Sequence, residues 1–144
     1  KSSISIGQLL QKGIGDTIRV SLTADPVEEI KVGFEILKSL QLRTKGIQIV
    51  SCPSCARQAF PVIETVKKLE QRLSHIKEPL TLSIIGCIVN GPGEMADADY
   101  GYVGKGKGTI ALYRRKEEIK RVPEDEGVNA LIQLIKDDGK WIDP

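Results

Sequence analysis

Three cysteines within 36 residues constrain this chain more than any other feature of its sequence. Cys52 and Cys55 form a C-x-x-C pair just after I-Q-I-V at 47–50. Cys87 likewise comes just after L-T-L-S-I-I at 80–85. Short runs rich in β-branched residues predict strands, and α/β sheets usually form their sites at the carboxyl ends of their strands. The three thiols are therefore predicted to meet at one end of a sheet.

The number and clustering of the cysteines indicate metal or redox chemistry rather than disulfide bonding. Three is an odd count, whereas a secreted disulfide framework favours an even one. Thiolates are soft ligands, which favours zinc, copper(I) or an iron–sulfur cluster. Redox dithiols and zinc sites also use the C-x-x-C pair, so these alternatives stay open on the cysteines alone.

Glu94 is the best candidate for a fourth ligand. It lies seven residues after Cys87, and the intervening N-G-P-G favours a turn that folds the carboxylate back toward the thiolates. A carboxylate is a hard ligand on a soft iron site, so its bond should exchange readily and leave one iron open to a substrate oxygen. An electron-transfer ferredoxin would use cysteine throughout. On an iron–sulfur cluster, this ligand set therefore favours a catalytic site over an electron carrier.

Charge and composition argue against nucleic-acid-binding and membrane proteins. The chain has 21 Lys and Arg against 19 Asp and Glu, and aromatic residues make up 4% of it. Its basic residues look scattered, whereas a nucleic-acid surface needs clustered cations and stacking platforms. No signal peptide or long apolar run is present, which predicts a soluble protein. The first residue is Lys1 rather than Met, which suggests a processed chain or a fragment.

Hydrophobic periodicity predicts an α/β domain from residue 46 onward. Before a polar break at residues 43–46, a strand at 16–23 and a helix at 26–40 form a separate region, so we place domains at 1–45 and 46–144. The predicted elements of the second domain are a strand at 47–50, a helix opening at Pro61, a strand at 80–85, a long glycine-rich loop at 90–108, strands at 109–113 and 119–122, and a helix at 123–138.

Two segments together resemble a known family. C-P-S-C at 52–55 and G-C-I-V-N-G-P-G-E at 86–94 are similar to the C-terminal cluster domain of the 4-hydroxy-3-methylbut-2-enyl diphosphate synthase family of the non-mevalonate isoprenoid pathway. The upstream stretch G-D-T-I-R-V-S-L-T-A-D-P-V-E-E at 15–29 resembles the last part of that family's TIM barrel. The resemblance implies a small open mixed sheet flanked by helices, of the sulfite-reductase-like type, after the strand and helix that end a TIM barrel.

The resemblance also implies roles for individual residues. Cys52, Cys55 and Cys87 match the thiolates that hold the family's [4Fe–4S] cluster, and Glu94 matches the family's carboxylate ligand. Asn90 matches an asparagine that contacts substrate near the open iron, which gives Asn90 and Glu94 catalytic roles. The diphosphate of the substrate would be held by Arg19 and Ser21, which suits a guanidinium fork and a hydroxyl.

The implied reaction is the reductive opening of methylerythritol cyclic diphosphate to hydroxymethylbutenyl diphosphate with loss of water. Electrons would come one at a time from ferredoxin or flavodoxin. The implied full-length enzyme is a homodimer of the bacterial cytoplasm or the plastid stroma. Most of the barrel is missing from this chain, so the chain alone is predicted to be inactive.

Simpler interpretations stand beside these. The cysteines could form a structural zinc site, Asn90 could serve only the turn, and Arg19 could be a solvent-facing strand residue. The glycines and lysines of residues 101–108 indicate a loop, a flexible flap over the site, or a docking surface for the reductant. The alternative function is a non-enzymatic zinc or iron–sulfur electron-carrier domain.

Overall fold

The computed structural model describes residues 1–89, 91–95 and 97–142, with the backbone alone for Pro92 and Glu94. The chain forms two compact units, Lys1–Lys45 and Gly46–Pro144. Its helices are α1 (Ser2–Gln11), α2 (Pro26–Ser39), α3 (Val62–Leu73), the single turn α4 (Gly91–Glu94) and α5 (Glu124–Asp137); its strands are β1 (Ile47–Ser51), β2 (Leu80–Ile85), β3 (Tyr100–Gly106), β4 (Thr109–Arg114) and β5 (Glu117–Pro123).

The second unit is an open mixed sheet of five strands in the order β1-β2-β3-β4-β5. β1, β2 and β3 are parallel, while β4 and β5 continue the sheet as antiparallel hairpins. Parallel neighbours need crossover connections, and α3 supplies the one between β1 and β2. The predicted fold class, an α/β fold with an open mixed sheet flanked by helices, is confirmed.

Successive side chains of the central strands point to opposite faces of the sheet, and each face forms its own core. Leu82, Tyr102 and Leu112 lie on the face that packs against α3 and α5, in the larger core. The opposite face forms a smaller core, with Cys52 packed against it; its members are Ile85, Met95, Val103, Ala111 and Tyr113. A strand with both faces covered carries apolar residues at nearly every position. The burial of β2 along most of its length follows from this arrangement.

Residues 100–106 correct the sequence prediction, because the predicted loop contains the central strand β3. Glycine has low strand propensity, so its frequency in this stretch concealed the strand. Two of the glycines serve close packing: a Cβ at Gly101 would overlap Met95 Sδ, and a Cβ at Gly104 would overlap the carbonyl oxygen of Gly86. Between β3 and β4 only a tight turn at residues 107–108 remains.

In the first unit, α1 and α2 pack through a small core around Leu10, Val20 and Ile36. α2 begins where predicted, since the Asp25 carboxylate accepts a hydrogen bond from the Val27 N–H at 2.9 Å. The predicted strand at 16–23 was wrong, because these residues pair with no other strand among the described residues. An extended segment needs a neighbour to satisfy its backbone groups, and none of the five strands lies in this unit.

The β4–β5 edge of the sheet is held by a charged cluster centred on Glu118. The Glu118 carboxylate accepts a hydrogen bond from Tyr113 Oη at 2.9 Å, pairs with Lys105 Nζ at 3.1 Å, and pairs with Arg121. These hydrogen bonds, from Arg121 above all, lower the pKa of Glu118 to about 2. Two cations thus share one carboxylate, and the cluster keeps a net positive charge.

Acid is expected to weaken this edge through Glu118. Because the pKa of the folded carboxyl lies below its ordinary value of 4.5, the stabilising contribution is complete above that pH and is lost as the pH falls toward about 2. Glu118→Gln is expected to lower the free energy of unfolding at neutral pH by roughly 1 kcal/mol. The substitution should also make the free energy of unfolding fall less steeply as the pH is lowered. Denaturant titrations across this pH range measure both effects.

Glu117→Gln is the matched control, since the Glu117 carboxylate forms no hydrogen bond or ion pair with any residue that the structure describes. An unchanged acid dependence in Glu118→Gln would contradict the assignment.

No described helix is long and apolar enough to cross a membrane.

Candidate metal centre

The C-x-x-C pair lies in a loop that leaves the carboxyl end of β1. The Cys52 N–H donates to the Ile84 carbonyl at 3.1 Å, so the strand pairing continues up to the first cysteine. Beyond it the chain turns sharply at Ser54, which has a left-handed φ of 63°. The turn is closed by the Gln58 N–H, which donates to the Cys55 carbonyl at 3.0 Å, and by a Ser54–Gln58 side-chain hydrogen bond. Local hydrogen bonds therefore hold both cysteines at this end of the sheet.

Gly86, which directly follows β2, joins this loop to the segment that carries Cys87. Its N–H donates to Cys52 Sγ at 3.2 Å, and its carbonyl accepts from the Ala59 N–H at 2.7 Å. A Cβ here would lie 3.1 Å from Gln58 Cβ and 3.4 Å from Cys52 Sγ. Residue 86 has little room for a side chain, and Cys87 follows it directly. The two cysteine segments are thus neighbours, as their positions after strands predicted.

Gly104 of β3 closes the same junction from the other side. A Cβ at this position would overlap the Gly86 carbonyl and lie 2.9 Å from Ala59 Cβ. The end of β2, the strand β3 and the C-x-x-C loop therefore come together at Gly86 and Gly104. Only a residue without a side chain allows this close backbone approach.

Arg57 adds a positive charge beside the thiols. Hydrogen bonds from its backbone N–H, and then from its guanidinium, lower the pKa of the Cys55 thiol. The pKa of Arg57 is raised first by its hydrogen bond to Cys55, then by the charges of Cys55 and Cys87. Arg57 therefore favours the Cys55 thiolate, the form of cysteine that binds metals, and it also interacts with the charge of Cys87.

The donor chemistry fits an iron–sulfur cluster. All three cysteines are free thiols; Cys55 is exposed, and Cys52 and Cys87 are half-buried. A backbone N–H already donates to Cys52 Sγ, and hydrogen bonds to sulfur are one of the features by which proteins tune such clusters. Among the described residues, however, no three His, Cys, Asp or Glu side chains converge enough to hold a metal ion. The thiols lie at one end of the sheet without forming a ready-made site for a single ion.

The structure describes the other predicted site residues only in part. Asn90 and the side chain of Glu94 lie outside the described residues; the backbone of Glu94 ends α4. This turn begins four residues after Cys87, and Met95, which follows it, packs in the smaller core. Arg19 and Ser21 belong to the first unit, where both are exposed.

Three residues of the junction were not singled out from the sequence. Gly86 and Gly104 matter through backbone contacts between strands that are distant in the chain. Arg57 matters through its charge beside two thiols. Its position two residues after Cys55 was the one available signal, since a cation near a cysteine favours the thiolate.

The chain matches two family models. Residues 48–137 match the GcpE protein C-terminal domain, and residues 1–34 match the GcpE TIM-barrel domain. The family resemblance inferred from the cysteine motifs and from the upstream stretch is confirmed.

Curated relatives agree with this assignment. Proteins from Prochlorococcus marinus subsp. pastoris, from a second Prochlorococcus marinus strain and from a Synechococcus strain are 67%, 60% and 58% identical over 144 residues. Each is named 4-hydroxy-3-methylbut-2-en-1-yl diphosphate synthase (ferredoxin). The alignments cover 100% of this chain and 35% of each relative, so the chain spans about a third of their length. The chain belongs to the GcpE protein family and carries its C-terminal domain.

Proposed function

We propose that this chain is the iron–sulfur part of an enzyme that reductively opens methylerythritol cyclic diphosphate to hydroxymethylbutenyl diphosphate. Residues 46–144 form the cluster-binding domain, and residues 1–45 are the end of a TIM barrel. The names of the relatives support the reaction. The junction at Gly86, which brings the C-x-x-C loop beside the segment of Cys87, is the observation that carries the proposal.

Cys52, Cys55 and Cys87 would hold a [4Fe–4S] cluster together with the Glu94 carboxylate. The bound cluster would supply electrons one at a time and an iron open to a substrate oxygen. Arg57 favours the thiolate form of Cys55. The Gly86 N–H orients Cys52 Sγ at 3.2 Å.

Arg19 and Ser21 would hold the diphosphate of the substrate. Both are exposed, and a guanidinium fork with a hydroxyl suits a diphosphate. Asn90 would contact the substrate beside the open iron. Ferredoxin, which the relatives' names contain, or flavodoxin would supply the electrons. The full-length enzyme would be a homodimer of the bacterial cytoplasm or the plastid stroma.

Metal analysis tests the cluster. The chain, purified anaerobically and reconstituted with iron and sulfide, is expected to bind both and to show the brown iron–sulfur absorption. Stoichiometric zinc without sulfide would instead support the structural zinc site and contradict the proposal.

Turnover assays test whether catalysis needs the rest of the barrel in addition to this chain. The chain alone is expected to convert no cyclic diphosphate, because positioning the substrate can supply about 7–11 kcal/mol of barrier reduction, and most of the barrel lies outside this chain. Adding the separately expressed barrel should restore turnover with a strong one-electron reductant. Turnover by the chain alone would contradict this part of the proposal.

A further inference from the structure

The β3–β4 hairpin ends in a strained, cationic turn. Lys107 has a φ of 53° and Gly108 a φ of 67°, the pattern of a two-residue turn with positive φ at both positions. Asn, Asp or Gly usually occupies the first position, because a left-handed backbone is unfavourable for a long side chain. Lys107 is exposed, and its side chain has no hydrogen bond or ion pair with the part of the chain that the structure describes. Its charge is fully available to a partner.

The hairpin belongs to a basic edge of the sheet. Seven of the fourteen Lys and Arg in residues 46–144 lie in 104–122, beside two of the fourteen Asp and Glu. These seven cations lie at the end of β3, on β4 and β5, and in the turns between these strands. Lys105 and Arg121 share Glu118, so this cluster adds to the positive charge of the edge.

Lys107 lies at the cysteine end of this edge. It follows Gly104 by three residues, which span at most about 10 Å, and Gly104 packs against the Gly86 carbonyl. Arg57 adds a second exposed cation near the thiols. Beside Cys87, Ile88 and Val89 are 50% and 62% exposed, which supplies apolar area close to these charges.

We propose that Lys107, with Arg57 and the exposed Ile88 and Val89, forms the docking surface for an acidic one-electron carrier protein. The inference rests on the proposed function, because an electron donor must approach the cysteines closely. Exposed cations around an apolar centre suit an acidic protein surface, whose complementary charge steers association. A small anion would need several donors converging on it, whereas Lys107 projects into solvent.

Two asparagine variants of this 144-residue chain test the proposal. Lys107→Asn removes the charge and relieves the left-handed strain, because Asn tolerates this conformation. Arg115→Asn is the matched control: Arg115 is also exposed and left-handed, with a φ of 53°. It lies at the other end of β4, roughly 20 Å away. Calorimetry would measure the binding of a plant-type [2Fe–2S] ferredoxin of net negative charge to the reconstituted chain.

Lys107→Asn is expected to weaken ferredoxin binding by about two- to fivefold without lowering the melting temperature, and Arg115→Asn to leave binding unchanged. Binding should be measured near 0.1 M salt, where the electrostatic screening length is about 10 Å. A charge at position 115 then has little effect on a partner bound at position 107. The proposal would be overturned if both variants weakened binding equally, or if Lys107→Asn did not weaken binding. It would also be overturned if an acidic protein without a redox centre bound as tightly as the ferredoxin. Absence of iron and sulfide in the wild-type chain would refute the proposed function separately, since binding is measured independently of activity.

Discussion

Replacing Cys87 with serine is expected to abolish the iron–sulfur absorption of the reconstituted chain. A hydroxyl is a much poorer ligand for a soft iron site than a thiolate, and the described residues offer no thiol beyond the three predicted ligands. Cys52→Ser and Cys55→Ser should have the same effect. Anaerobic reconstitution followed by iron and sulfide analysis measures the loss.

Ser51→Ala is the control for these variants, because Ser51 is exposed and directly precedes Cys52. It should retain full iron and sulfide. Normal cluster content in Cys87→Ser would show that Cys87 is not a ligand.

Gly104→Ala is expected to destabilise the second unit by about 1–3 kcal/mol, the usual cost of overpacking. The added methyl group would overlap the Gly86 carbonyl and press on Ala59. Since both neighbours belong to the junction that holds the cysteine segments together, cluster uptake should fall as well. Denaturant unfolding and iron analysis of the same samples measure the two effects.

Gly93→Ala is the stability control, because a Cβ at Gly93 meets nothing within 4 Å and the glycine does not have a positive φ. Its free energy of unfolding should be unchanged or slightly higher, since alanine restricts the unfolded chain more than glycine does. Equal stability of Gly104→Ala and the wild-type chain would show that β3 can move away from Gly86 without cost.

Most regular elements of the second unit could be predicted because their patterns are local. The strand-like runs before Cys52 and Cys87 predicted β1 and β2, and the hydrophobic periodicity after Pro61 predicted α3. β3 could not be predicted, because its glycines fit contacts with Met95 and Gly86, which lie elsewhere in the chain. Strand propensity reports none of those contacts.

The candidate metal chemistry could be predicted from the sequence, from three thiols that are soft ligands, from their positions after predicted strands, and from motifs that resemble one family. The folded chain was needed to show that Gly86 and Gly104 join the cysteine segments, that Arg57 interacts with two thiols, and that Lys107 stands at the same end of the sheet. Ligand type is a property of a single residue, whereas close backbone approach and shared charge arise between segments that are far apart in the chain.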